Sequence, residues 1–177
     1  MLAKRLARNK PISSEHGAMP IRKAVAADLT GIQNLLLANG LPAQDVSGAL
    51  IEGFLVAEDA RGTIVGSGGL EQLGSSVLLR SLAVTPELRG TGIARELVAQ
   101  LECHARSLGR QEIWLLTATA ERFFERVGYE RVSRDEAPRE VRLCRQFAAL
   151  CPATAACMRK RLPPNPLPDA DGRLESS

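Results

Sequence analysis

The run Leu82-Ala83-Val84-Thr85-Pro86-Glu87-Leu88-Arg89-Gly90-Thr91-Gly92-Ile93-Ala94-Arg95 constrains this chain more than any other stretch. A short apolar strand pattern stops at Thr85-Pro86, an Arg-Gly-Thr-Gly loop follows, and a helical period begins at once. The glycines let the backbone approach a ligand closely. The first helical N–H groups have no partner within the helix, and the helix dipole favours an anion there. Arg89 and Arg95 flank the loop with positive charge. Strand, glycine loop and helix in this order predict a backbone grip on a phosphorylated cofactor. The plain alternative is a glycine turn leading into a surface helix.

The spacing excludes two common phosphate loops. The nucleotide-hydrolase loop needs Gly-x-x-x-x-Gly-Lys-Ser/Thr, and no lysine stands here. The dinucleotide fingerprint needs a third small residue where Arg95 stands. What remains is Arg-x-x-Gly-x-Ala, with Arg89, Gly92 and Ala94 in the three places.

The rest of the chain alternates periods. Residues 21–25, 53–58, 63–71, 77–84, 113–116, 129–132 and 154–161 read as strands. Ala27-Asp28 opens a helix with Leu29, Ile32, Leu35 and Leu36 on one face, and residues 45–48 form a loop or half-turn. The helix over 92–108 turns Ile93, Leu97, Leu101 and Ala105 inward and stops at Gly109. A short helix over 120–127 takes Thr119 as its cap. Residues 138–150 read as one helix with Val141, Cys144, Phe147 and Ala148 on one side. This succession predicts a mixed α/β sheet flanked by helices. Residues 1–18 and 163–177 are expected to be tails around one domain spanning 19–162.

Composition bounds the function. The chain of 177 residues suits one domain, and a net charge of +3, much of it near the termini, gives no ground for nucleic-acid binding. No apolar run approaches the roughly 20 residues that a membrane-crossing helix needs. With no secretory apolar segment, the cytoplasm is the expected compartment. Cys103, Cys144, Cys151 and Cys157 form no Cys-x-x-Cys pair, so free thiols and no metal are expected, with metalloid capture by the last three as the rival reading.

The Arg89/Gly92/Ala94 pattern resembles the pyrophosphate loop of the GCN5-related N-acetyltransferase (GNAT) superfamily, and so does the element order over residues 19–162. A second landmark agrees. Members often carry Asn-x-x-Ala-x-x-Phe-Tyr-x-x-x-Gly-Phe, and this chain has Thr117-Ala-Thr-Ala120-Glu-Arg-Phe123-Phe124-Glu-Arg-Val-Gly128-Tyr129. The resemblance implies the acyl-CoA N-acyltransferase fold, a twisted and mostly antiparallel sheet splayed between two central strands. It also implies acetyl-coenzyme A (acetyl-CoA) as co-substrate, a small-molecule amine as acceptor, and a possible homodimer. Leu82, Ala83 and Val84 would offer an open strand edge to the pantetheine, with the Val84 amide steadying the oxyanion. Arg89, Gly90, Thr91, Gly92, Ile93, Ala94 and Arg95 would hold the diphosphate, and Thr117, Phe123, Phe124 and Arg126 would line the far wall. Two departures matter. Thr117 replaces the usual Asn, and Phe124 replaces a Tyr that serves many members as proton donor.

Gly69-Leu70-Glu71, residues 78–84, Leu115-Leu116-Thr117 and Gln146-Phe147-Ala-Ala-Leu150-Cys151-Pro152 resemble the arsenic-resistance branch of that superfamily. That likeness implies a small anionic amino acid, or a mimic such as arsinothricin or phosphinothricin, as acceptor.

Among side chains, Glu71 ends an apolar strand and is the candidate base; the competing reading is a solvated carboxylate. Strand alternation puts Arg80, Leu82 and Val84 on one side and Leu79, Ser81 and Ala83 on the other. An Arg amid apolar residues needs a partner, either an anionic group of the substrate or Glu71 on the neighbouring strand. His16 and His104 are expected at the surface. Direct attack in a ternary complex is expected, because no Cys is matched with a His. The rival functions are acetylation of a protein N-terminus, polyamine or aminoglycoside, or a non-catalytic acetyl-CoA or arsenite sensor.

Overall fold

The computed structural model describes residues 19–164. Both tail expectations, apart from Pro163 and Pro164, and the expectation for His16 lie outside that range. Seven strands form one sheet: β1 (Ile21–Lys23), β2 (Phe54–Glu58), β3 (Ile64–Leu73), β4 (Ser76–Val84), β5 (Glu112–Thr117), β6 (Glu130–Val132) and β7 (Ala156–Arg161). Their order across the sheet is β1-β2-β3-β4-β5-β7-β6. Every neighbouring pair is antiparallel except β4–β5, which is parallel. A parallel pair needs a long crossover, and α3 (Ile93–Ser107) supplies it.

Alternation along the strands sorts the core into two layers. Val77 and Leu79 of β4, Ile113 and Leu115 of β5 and Met158 of β7 face Val98, Leu101 and Ala105 of α3 and Phe124 of α4 (Glu121–Arg126). On the other face, α1 (Leu29–Ala38) and α2 (Gly48–Ile51) cover Phe54 and Val56 of β2 and Ala83 through Ile32, Leu36 and Ile51. Further along that face, α5 (Arg139–Leu143) and the turn after it cover Leu78, Trp114 and Cys157. Close packing leaves no room at Gly69, where an added Cβ would sit 2.4 Å from two carbons of the buried Phe54 ring.

Three local expectations are corrected. Residues 138–150 are not one helix: Cys144 is extended (ψ 155°) between α5 and a wide π-type turn over Gln146–Leu150. Val141, Cys144 and Phe147 are buried all the same, because the break re-aims the chain so that they stay on the sheet, whereas Ala148 is exposed. No side chain caps α4, Thr119 included: its N-cap is Ala120, whose N–H donates to Thr117 Oγ1 at 2.9 Å in the turn before the helix. The third correction concerns β4. Gly69 pairs with Arg80 and Ser67 with Ala83, so Ser81 and Leu82 together oppose Gly68. Ser81 takes a left-handed conformation (φ 56°), and this bulge shifts the alternation by one residue. Leu82 and Val84 therefore join the α3 layer, while Arg80 shares the opposite face with Leu78 and Ala83.

The α3 layer is pinned by a half-buried ion pair. Lys160 on β7 donates to both oxygens of Glu102 on α3 at 2.8 Å and to the Val127 carbonyl at 2.7 Å. Lys160→Met leaves the buried Glu102 carboxylate and that carbonyl without their donor. We expect a loss of about 3 kcal/mol, read as a lowered urea midpoint with unchanged m; a midpoint within error of wild type would show that solvent replaces the pair.

Candidate active site

The glycine loop folds as its residue types require. After β4, the Thr85 N–H donates to the Val65 carbonyl (2.9 Å), Pro86–Leu88 make one 3-10 turn, and Arg89 is extended. Gly90 and Gly92 are left-handed (φ 78° and 96°), a conformation open to glycine at little cost. The Thr91 hydroxyl donates to the Leu88 carbonyl at 2.6 Å. The first helical bond of α3 runs from the Glu96 N–H to the Gly92 carbonyl. The N–H groups of Gly90, Thr91, Gly92, Ile93, Ala94 and Arg95 consequently have no acceptor among the described residues. Ile93 is buried below the loop with Val65, Val84 and Leu97, whereas Arg95 is exposed. Arg89 folds back, its Nε towards the Val84 carbonyl (3.4 Å) and its Nη2 on Asn39 Oδ1 (2.5 Å) at the end of α1.

Beside the loop the sheet opens. The β4–β5 ladder consists of the single pair Leu78–Trp114, beyond which Leu79–Val84 and Leu115–Thr117 are not paired with each other. Because Thr85 turns its amide to β3, the alternation of an antiparallel ladder turns the Val84 amide away from β3, into the gap. The Thr117 hydroxyl oxygen accepts from the Ala120 N–H. Phe123 is half-buried and Arg126 exposed on α4, while Phe124 is buried. The Phe124 ring meets Phe123 and Tyr129 edge-on, at centroid distances of 5.1 and 5.4 Å.

On the opposite face lies a charged cluster. Arg80 Nη1 donates to Glu71 Oε2 (2.6 Å) and Nη2 to Asp45 Oδ2 (2.5 Å), with Nε towards Ser81 Oγ at 3.4 Å. The Arg80 side chain is 1% exposed, Asp45 3% and Glu71 16%. The Arg80–Glu71 pair anticipated from the strands is present. Asp45 is the member that sequence reasoning missed: it stands in the α1–α2 connection, and nothing in its neighbours marks it as buried. Val46, next to it, is buried in the α1 layer and carries Asp45 inward. The thiols of Cys144 and Cys151, on the segment after α5, lie within electrostatic reach of the cluster.

The remaining titratable candidates stand apart. His104 is half-buried in the last turn of α3. Burial pushes the Cys144 and Cys151 thiols up and the Cys157 thiol to about 11. Cys103 is exposed on α3 beside Arg106, whose Nη2 lies 2.9 Å from its sulfur. The thiolate is the nucleophile, so brief treatment with iodoacetamide at neutral pH should label Cys103 well ahead of the other three. Peptide mass mapping checks this, and equal labelling of Cys144 would contradict the buried placement.

Residues 51–131 match the acetyltransferase (GNAT) domain model. The amino-acid acetyltransferase of Mycobacterium tuberculosis is 35% identical over 102 residues, covering 55% of this chain and 58% of that protein. An uncharacterised N-acetyltransferase of Chlorobaculum tepidum is 33% identical over 109 residues, covering 60% and 66%. The chain thus spans about three fifths to two thirds of these curated relatives' lengths. N-acetylglutamate synthase from Neisseria gonorrhoeae, solved with coenzyme A and N-acetyl-glutamate, superposes with a TM-score of 0.72 at 21% identity, over 84% of this chain and 36% of that one. A Mycobacterium tuberculosis protein solved with CoA and NLQ gives 0.67 at 25% identity, over 81% and 99%. The fold is a GNAT acetyltransferase fold, and residues 51–131 carry its sequence pattern.

Proposed function

We propose that this chain is an acetyl-CoA-dependent N-acetyltransferase, with residues 19–162 as its catalytic domain and the amine of a small amino acid or amino-acid analogue as acceptor. One observation carries the reading: six consecutive amides without acceptors among the described residues, Gly90 to Arg95, stand beside the unpaired stretch between β4 and β5. A diphosphate matches those amides in charge and geometry, and acetyl-CoA supplies the activated thioester. Leu82, Ala83 and Val84 offer the free strand edge along which a pantetheine arm can lie. Thr117, Phe123, Phe124 and Arg126 stand across the gap. The Val84 amide, turned into the gap, is placed to take up charge developing on a thioester oxygen.

Glu71 is the base in this reading. It is the most exposed member of the charged cluster, and Arg80 fixes one of its oxygens, leaving the other for an ammonium proton. Such a base contributes about 10²–10⁴-fold. Arg80 orients Glu71 and retains N–H groups for an anionic group of the acceptor. The name of the Mycobacterium tuberculosis relative supports the amino-acid class. The likeness to the arsenic-resistance branch extends it to arsinothricin and phosphinothricin, with antibiotic or arsenic resistance as the role. A homodimer in the cytoplasm belongs to the same reading.

Thiol release from acetyl-CoA, followed across L-glutamate, L-glutamine, phosphinothricin, arsinothricin, spermidine and a peptide N-terminus, tests the function. We expect turnover with an α-amino acid and a fall in kcat of about 10²-fold in Glu71→Gln, with the affinity for acetyl-CoA retained. Gly92→Ala should instead weaken acetyl-CoA, because a side chain at φ 96° strains the loop that aims the amides. Acetyl-CoA binding without release above hydrolysis for every amine would sink the enzyme reading; tight arsenite binding under those conditions would favour the sensor.

A further inference from the structure

The glycines that let the loop after β4 approach a ligand also leave it with little backbone stiffness of its own. Amides aimed together at one diphosphate need that loop held still beforehand, because ordering it on binding would cost affinity. Contacts close by supply part of the stiffness. The Thr91 hydroxyl donates to the Leu88 carbonyl at 2.6 Å, and Ile93 is buried with Val65, Val84 and Leu97. A further contact leaves the loop altogether: Arg89 Nη2 donates to Asn39 Oδ1 at 2.5 Å, 50 residues back in the chain.

Asn39 is itself held in place to receive it. It is the C-cap of α1, and its N–H donates to the Leu35 and Leu36 carbonyls. Its side-chain Nδ2 donates to the Leu35 carbonyl at 2.8 Å. With the nitrogen so employed, the amide presents its oxygen to Arg89. Gly40 is left-handed (φ 67°) and the Leu41 N–H returns to the Leu36 carbonyl, which fixes where the helix ends. The last carbonyls of a helix carry partial negative charge, so a guanidinium is favoured there. The Val84 carbonyl lies 3.4 Å from Arg89 Nε, so one guanidinium meets the end of α1 and the end of β4 together. Directly after Arg89 comes Gly90, the first of the amides without an acceptor.

Resting on the acetyltransferase reading, we propose that Asn39 is a positioning residue for the co-substrate: its amide oxygen seats the Arg89 guanidinium and thereby holds the glycine loop in the conformation that presents the amides of Gly90 to Arg95. Arg89 serves acetyl-CoA through this seat, by fixing the loop, and the diphosphate is met by main-chain N–H groups. Asn39 acts only through Arg89. The C-terminal end of α1 thus belongs to the co-substrate site, although it lies far outside the Arg89/Gly92/Ala94 pattern.

Calorimetry of acetyl-CoA binding to the full chain tests this and needs no acceptor amine. Asn39→Ala removes the seat, and we expect its Kd to rise about five- to tenfold. With an accepted amine, kcat at saturating acetyl-CoA should stay within about twofold of wild type. Asn39→Asp keeps an oxygen for Arg89, loses the donor to the Leu35 carbonyl and puts a negative charge at the helix end. It should melt below wild type yet bind acetyl-CoA within about twofold of it, which separates seating Arg89 from capping α1. Asn39→Ala combined with Arg89→Ala should bind no more weakly than Arg89→Ala alone. Wild-type affinity in Asn39→Ala, an equal loss in Asn39→Asp, or losses that multiply in the double variant each overturn the assignment and leave the enzyme reading intact. Should wild type bind no acetyl-CoA, the functional reading has failed instead. Trypsin cleavage between Arg89 and Gly90, timed by mass on the unliganded chain, then decides the seat by itself. Cleavage about fivefold faster in Asn39→Ala and at the wild-type rate in Asn39→Asp supports it. Equal rates in wild type and Asn39→Ala, or equal acceleration in both variants, refute it.

Discussion

A single parallel contact in an otherwise antiparallel sheet, the Leu78–Trp114 pair between β4 and β5, organises everything else in this molecule. Strands that run the same way must be joined by a crossover, so the chain leaves β4 and travels the length of α3 before entering β5. The crossover places the positive end of a 15-residue helix at the C-terminal end of β4. The same strands form no ladder pair beyond that one, so free strand edge and helix N-terminus face one region of space. A fully zipped β4–β5 ladder would use the Val84 amide in the sheet and close the gap. The antiparallel ladders on either side, β3–β4 and β5–β7, are long enough to hold the two halves rigid while the seam stays open.

The bulge at Ser81 is the second device in that strand. With strict alternation, Arg80 would share a face with Leu82 and Val84, and its charge would enter the α3 layer, which is apolar around β4. One extra residue opposite Gly68 sends Leu82 and Val84 to α3 and leaves Arg80 on the face where Asp45 and Glu71 wait. The left-handed φ at Ser81 is the local cost. It separates two neighbours within five residues: Arg80 joins the charged cluster on one face, and Val84 packs against α3 beside the glycine loop.

This explains what the sequence disclosed and what it withheld. The glycine loop was legible because its geometry demands particular residues: left-handed backbone at Gly90 and Gly92, Pro86 ending the strand, and a helical period from Ile93. The α3 core positions followed from spacing alone, and Leu97, Leu101 and Ala105 are fully buried. The bulge was not legible, because Ser81 is an ordinary strand residue and only the pairing with Gly68 reveals the extra place. Asp45 was hidden for the same reason: its burial depends on a partner 35 residues away. The broken helix after Pro138 misled because a 3.6-residue period survives when two short segments are re-aimed onto one surface. Apolar spacing reports which side chains meet the core, not whether the backbone between them is continuous.

The exchange of rings at Phe124 and Tyr129 bears on how the leaving group is handled. The hydroxyl that many family members are expected to carry at the first position is here on the second ring, enclosed in the α3 layer. Burial, reinforced by the neighbouring Glu102 carboxylate, pushes the Tyr129 phenol far above its ordinary value, so it stays protonated and surrenders nothing. Lys160 lies over its ring at 5.5 Å and donates to Glu102 and the Val127 carbonyl, which leaves the group a structural one. In the proposed reaction that arrangement is tolerable on energetic grounds. A departing thiolate has a conjugate acid near pKa ~8.5, so it leaves as an anion with little need of an acid in the transition state. The amine is the group that must lose a proton before it can attack. In the proposed function Glu71 and Arg80 stand on the amine side, and Phe123 and Phe124 form an aromatic wall on the thiol side.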